Sequence, residues 1–303
     1  MSLSEEDIQA TARIESFKTK SLLADQTHHF RSRRVFYVMG DLTGLSDICV
    51  GTVPKAGTSG RFISLLDKDG YLDADIFIVP FEKGVLVDVH AELEEVVAAR
   101  LSGLPGVEQI DRSANERWRV LGETPDQKTA TTSFDTLRFR DSRRRELGSR
   151  ILRDSAEPEG QDWRHSRKWD GHAMRLGILP DHRCVLGKRI LPEEAGYHRL
   201  LGANLPSDPK AISRRILPIR VDTYSGSIPL MAGAQLLAGS EEIGVMLDQE
   251  GVCGVALMEI DPWRQAIEDA CEVTCLDWPV LISWPTWLSS ESEGRVGPAG
   301  GLI

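Results

Sequence analysis

Residues 75–81 and 85–89 form two apolar runs separated only by Glu82-Lys83-Gly84. A short polar link ending in glycine between two such runs is a hairpin signal. Within the first run, Ile76-Phe77-Ile78-Val79-Pro80-Phe81 is among the longest unbroken apolar stretches of the chain. It has the length of a strand and falls far short of the ~20 residues needed to span a bilayer, so no membrane-spanning helix is expected. Directly after the hairpin, Leu93, Val96, Val97 and Leu101 recur at helical spacing, with Glu92, Glu94 and Glu95 in the first turns, where carboxylates favour the helix dipole. Gly103 and Pro105-Gly106 then stop the helix.

The segments on either side read in the same mixed way. Val35-Phe36-Tyr37-Val38-Met39 has strand character up to Gly40-Asp41, and residues 61–66 form another strand closed by the turn Asp67-Lys68-Asp69-Gly70. The stretch 122–172 is polar and rich in Asp, Arg, Ser and Thr, so a loop or domain junction is expected within it. Apolar residues return over 172–202, and Ser207-Asp208-Pro209 marks a break.

Residues 216–288 are strand-like. Ile243 to Leu247, the turn Asp248-Gln249-Glu250-Gly251 and Val252 to Ile260 make a second hairpin. Asp261-Pro262-Trp263 reads as an N-cap followed by proline at the first helical position. A cysteine-bearing strand and the segment 278–288 then complete a small β-barrel. The fold class is α+β, organised as a mixed region at 30–215 with its junction inside 122–172, a β-barrel domain at 216–288 and a Gly/Ser/Pro-rich tail at 289–303.

The chain has 36 Lys+Arg against 46 Asp+Glu, a net charge of −10. That balance argues against a dedicated nucleic-acid binder, and the short basic runs Arg31-Ser32-Arg33-Arg34, Arg143-Arg144-Arg145 and Arg214-Arg215 are read as solvated faces or carboxylate partners. The acidic N-terminus lacks the pattern of a secretory signal, so a cytoplasmic location is expected. Five scattered cysteines, Cys49, Cys184, Cys253, Cys271 and Cys275, show no paired framework, and free thiols are expected. Cys271 and Cys275 are read as sharing one strand face in apolar packing. The seven histidines offer no His-Glu-x-x-His and no element collecting three ligands, so no protein-built metal site is expected. The phosphate-cradling glycine loop and the Gly-x-Ser-x-Gly elbow are absent.

Three ordered segments resemble the folate-binding superfamily that contains the aminomethyltransferase of the glycine cleavage system and its YgfZ-type relatives. The first is Leu65-Leu66-Asp67-Lys68-Asp69-Gly70-Tyr71-Leu72-Asp73-Ala74-Asp75. The second is Met174-Arg175-Leu176-Gly177-Ile178-Leu179-Pro180 with Pro192-Glu193-Glu194-Ala195-Gly196, and the third is the barrel segment through Pro285-Thr286-Trp287-Leu288. Asp141-Ser142-Arg143 is similar to a short YgfZ-type element. One feature departs from the pattern: the usual Lys-Gly-Cys-Tyr-x-Gly-Gln-Glu is replaced by residues 205–214, which carry no cysteine.

The resemblance implies a tripartite fold around a central cavity, and tetrahydrofolate or another reduced folate as ligand. It implies a role in assembling or maintaining iron–sulfur enzymes, with iron–sulfur proteins as partners. The alternatives are a tetrahydrofolate-dependent aminomethyl- or methyltransferase, and a ligand-free interaction module. A pterin presents a donor edge that a buried carboxylate accepts, and its glutamate tail calls for a cation. Asp75 is the expected acid, at the start of an apolar run, and Arg175 the expected cation by resemblance. Glu194 is read as structural, and Trp169, His182 and Tyr197 as core or pocket lining.

Overall fold

The computed structural model describes residues 28–30, 32–123, 136–154, 167–181, 187–202, 212–221 and 230–288. In chain order its first strands are β1 (His28–His29), β2 (Arg33–Gly40), β3 (Cys49–Val50), β4 (Arg61–Leu66), β5 (Leu72–Phe81) and β6 (Gly84–His90). Helix α1 (Glu94–Ser102) follows a 3-10 turn at Ala91–Leu93, and then come β7 (Val107–Asp111), α2 (Ala114–Arg117) and β8 (Trp118–Glu123). After them are β9 (Thr136–Arg140), β10 (Ser149–Asp154), α3 (Arg167–Arg175) and α4 (Tyr197–Leu200). The last section holds β11 (Arg214–Val221), β12 (Gln235–Ala238), β13 (Glu241–Glu250), β14 (Cys253–Glu259), α5 (Ile260–Glu268), β15 (Val273–Cys275) and β16 (Trp278–Ile282).

These strands form an antiparallel six-stranded sheet ordered β3-β4-β5-β6-β2-β7, a four-stranded sheet ordered β1-β8-β10-β9, and a closed six-stranded barrel. The expected hairpins are present. Glu82 takes a left-handed φ of 50° between β5 and β6, and Gly251 takes 61° between β13 and β14. The β4–β5 turn is held by the Asp67 carboxylate, which accepts from the backbone N–H groups of Asp69 and Tyr71 at 2.9 Å each, with Gly70 at φ 86°.

The continuous apolar character of β5 is explained by two-sided burial. Ala74, Ile76 and Ile78 pack with Val97 and Leu101 of α1 on one face, while Leu72, Phe77 and Val79 enter a central core on the other. That central core joins all three sheets: Trp118 and Val120 of β8, Leu152 of β10, Trp169 and Met174 of α3, and barrel residues on its outer face. Strand β14 shows the same division, with Cys253, Val255 and Leu257 turned toward the central core and Ala256 and Met258 into the barrel.

Two local expectations are corrected, and among the described residues the polar stretch 122–172 also holds β9, β10 and the start of α3. Helix α5 begins at Ile260, with Glu259 at the N-cap and no side-chain cap bond, so Pro262 lies inside the first turn, where no intrahelical N–H partner is lost. Cys271 lies outside β15 and is exposed, whereas Cys275 is buried, so the two cysteines do not share a packed strand face. Cys184, His182, most of 205–214 and the tail at 289–303 lie outside the described residues. Among the described residues no helix is long and apolar enough to cross a membrane.

Gly196 supports the junction between the central region and the end of the chain. Its φ is 72°, and an added Cβ would fall 2.5 Å from the Trp287 ring, whose indole N–H donates to Leu176 O at 2.7 Å. Gly196→Ala combines left-handed strain with a forced displacement of that ring, and urea denaturation should show a loss of roughly 2–4 kcal/mol.

Candidate ligand site

Alternation along the strands decides what the inner face of the six-stranded sheet carries. Phe62 and Ser64 of β4 and Asp75 and Phe77 of β5 point to the central core, because their neighbours Ile63, Leu65, Ala74 and Ile76 are committed to the α1 side. Register pairs Ser64 with Asp75, Phe62 with Phe77, Phe77 with Asp88, and Arg33 with His90. A polar row thus runs beside an aromatic one.

Asp75 is 2% exposed, and its Oδ2 accepts a hydrogen bond from the Tyr197 hydroxyl at 3.2 Å. Its Oδ1 and the hydroxyl of Ser64, its cross-strand partner, are both buried and have no hydrogen-bond partner among the described residues. Leaving such groups unmade costs about 1–3 kcal/mol each, so this point of the core is an exception to ordinary packing. Rings surround it. Phe62 meets Phe77 at 5.2 Å and Tyr197 at 5.7 Å, both edge to face.

Beside this point lies a buried network of charges. Arg33 Nε donates to Asp88 Oδ1 at 2.6 Å, and Arg150 donates to Asp88 Oδ2 at 3.3 Å. Arg143 donates through Nε and a terminal nitrogen to the two oxygens of Asp141, at 3.1 and 2.8 Å, and to Leu179 O at 2.8 Å. The guanidinium carbons of Arg150, Arg143 and Arg33 lie 3.9, 5.5 and 5.9 Å from the centre of the Phe77 ring.

Burial resists ionisation of Asp141, yet the attraction and hydrogen bonds of Arg143, aided by Arg150, hold its carboxyl below the usual range. Burial likewise opposes the charge on Arg143, but Asp141, Tyr197 and Asp75 together raise its pKa. Burial brings Arg150 down to about 10 despite Asp88, and it remains a cation at neutral pH. With Asp75 counted, three guanidiniums face three carboxylates.

The two expected site residues occupy different surroundings. Asp75 belongs to the buried inner face just described. Arg175 is the last residue of α3, with a terminal nitrogen 3.2 Å from His172 Nδ1 and its charge in reach of the Cys253 thiol on β14. Burial, with Arg175 adding to it, lowers the His172 pKa. The neutral ring then donates from Nε2 to Glu146 O at 2.7 Å and leaves Nδ1 to accept from Arg175. The arginine whose charge responds to Asp75 is Arg143. Its Asp-Ser-Arg triplet was visible in the sequence, but nothing in spacing pointed it toward a residue some seventy positions earlier.

Glu194 is structural. It accepts from Leu191 N at 2.8 Å and from Arg214 Nε at 2.7 Å, tying the start of β11 to the preceding turn. Trp169 packs in the core, edge to face with Phe30 at 5.6 Å. Two clefts lie outside this buried centre. One, of about 440 Å³, opens over Asp141 and Arg143; the other, of about 670 Å³, is bounded by Tyr37, Phe81 and Trp118.

Residues 214–290 match the family model described as the CAF17 C-terminal beta-barrel domain. Among solved structures the chain is similar to the glycine cleavage system aminomethyltransferase T from Bartonella henselae, with a TM-score of 0.58 and 13% identity over 86% of this chain and 85% of that chain. At that identity the likeness is one of fold, and the α+β architecture with a C-terminal barrel is therefore shared. No curated protein matches the chain.

Two expectations follow from the charge network. Asp88→Asn leaves Arg33 and Arg150 without their shared carboxylate and should destabilise the protein by roughly 3–5 kcal/mol in urea denaturation. Because the folded pKa of Asp141 is depressed, its contribution is present above the unfolded value of about 4 and is lost as pH falls through the folded value. Stability of the wild type should therefore decline below about pH 4, and Asp141→Asn, already less stable at pH 7, should show a shallower decline over the same range. Parallel acid limbs for the two proteins would contradict the pairing.

Proposed function

We propose that the chain binds a reduced folate, with the pterin's donor edge held by Asp75, in a protein of YgfZ type that assists assembly or maintenance of iron–sulfur enzymes. The observation that carries this reading is the adjacency of two buried and unpartnered groups, Asp75 Oδ1 and Ser64 Oγ, across the β4–β5 pair. A carboxylate oxygen accepts from a ring N–H or an exocyclic amine, and a neighbouring hydroxyl donates to an adjacent carbonyl, which is the alternation a pterin edge presents. The Phe62, Phe77 and Tyr197 rings bordering the point suit a flat heterocycle. Arg143 supplies positive charge behind Asp75, and Arg175, at the end of α3, is proposed for the anionic tail. The fold shared with an aminomethyltransferase supports the scaffold, while the iron–sulfur role rests on the sequence resemblance.

The reading is one of binding without thiol chemistry, since residues 205–214 contain no cysteine. A specific observation favours a second reading, the ligand-free interaction module. The side chains of Trp169, Tyr197, Arg143 and Arg150 pack tightly in the same central region, each at most 2% exposed.

Calorimetric titration with tetrahydrofolate separates the two. The wild type should bind, and Asp75→Asn, which turns one accepting oxygen into a donor, should lose roughly 1.5–3 kcal/mol, or about 10- to 100-fold in affinity. Arg175→Ala should weaken a folate more than a pterin lacking the glutamyl tail. Equal binding by wild type and Asp75→Asn would remove Asp75 from the site, and absence of binding in both would establish the ligand-free reading.

A further inference from the structure

We infer that the cleft over the Asp141–Arg143 pair is an anion site for a small ligand carrying two or more oxyanion groups, carboxylate or phosphate. It is bounded by the Ser59-Gly60 loop, the start of β4, the end of β9 and the turn through residues 141–146. Its volume of about 440 Å³ lies in the range of small-molecule sites.

The charges around it are unbalanced. Arg61, Arg140, Arg144 and Arg145 line the walls, and Arg143 lines the floor, against only two acids. Both acids are already committed: Asp141 is paired with Arg143, and Glu146 with Arg144 at 2.8 Å and Arg145 at 3.8 Å. Arg61 and Arg140 are exposed, and no carboxylate among the described residues forms an ion pair with either. Five cations and two anions leave a local charge of +3 in a chain whose overall charge is −10. Like charges gathered at this density repel one another and are relieved by a bound counter-charge. Guanidinium forks match the two-oxygen geometry of carboxylate and phosphate.

The walls are built to a fixed spacing. An added Cβ at Gly60 would lie 2.7 Å from the Phe139 ring, so only glycine lets this loop lie flat against β9 beside Arg140. Ser142 Oγ accepts from Phe62 N at 2.8 Å, which anchors the turn to β4 and leaves the hydroxyl proton to donate into the cleft. The cleft opens on a chain whose net charge is −10, which disfavours an extended polyanion and leaves a small ligand as the better fit.

This inference does not depend on folate binding at Asp75, and the test keeps the two apart. Calorimetric titrations of pyrophosphate and of triglutamate are made against the wild type, Arg61→Ala/Arg140→Ala and Asp75→Asn, each at low and at physiological salt. At least one anion should bind the wild type, weaken with salt, bind the double-arginine variant at least tenfold more weakly, and bind Asp75→Asn as it does the wild type. Tighter pyrophosphate marks a phosphorylated ligand, and tighter triglutamate marks a polycarboxylate; both support the site. If neither anion binds, or wild type and double variant bind alike, the inference fails. Binding of RNA through these arginines, with neither small anion retained, would overturn it in favour of a nucleic-acid surface.

Discussion

The buried salt-bridge network around Phe77 holds the two sheets in register. Asp88 on β6 joins Arg33 on β2 to Arg150 on β10, and Arg150 in turn lies 3.8 Å from Asp141, the partner of Arg143. Ion pairs removed from water add little net stability, since desolvation offsets much of their attraction. What they impose is geometry, because any shift of one sheet past the other leaves a guanidinium or a carboxylate buried alone. Phe77 supports this arrangement by placing a ring face beneath the three cations.

Once the network is in place, the position of Asp75 follows. It shares the inner face with Phe77 two residues on, so it enters the same core, where its charge adds to that of Asp141 in raising the Arg143 pKa. Its unsatisfied oxygen and that of Ser64 are the cost of a polar pair set among rings. Such exceptions concentrate where a protein meets a ligand. Arg143 connects this buried point to the surface, since it lines the floor of the arginine-walled cleft and also senses Asp75.

The barrel contributes a surface as well as a core. Its interior is closed by Leu236, Met246, Met258 and Cys275, while the outward residues of β14 and Ile216 of β11 pack on the central region. Trp287 extends that contact beyond the barrel strands by donating to Leu176, and Gly196 leaves the space its ring needs.

Much of the local structure was legible in the sequence, because hairpins and turns are short-range. Apolar runs of strand length, the Asp67 to Gly70 turn and the helical spacing from Leu93 to Leu101 each depend on neighbours a few residues apart, and each appears where the pattern placed it, except that Leu93 lies in the 3-10 turn ahead of α1 and Val96 is exposed rather than on the buried face. The burial of Asp75 was also readable, from its place at the head of an apolar run. Tertiary structure decided what no spacing encodes. It put Arg143 and Tyr197 around Asp75 from 68 and 122 positions away, and it placed Arg175 beside His172 and Cys253. It gathered Arg61 with Arg140 and the 143–145 run into one cleft, where the sequence showed only scattered positive charge. Local pattern specifies which face of a strand is buried; which charges share that interior depends on how separate sheets are closed over it, and that is settled only when the whole chain packs.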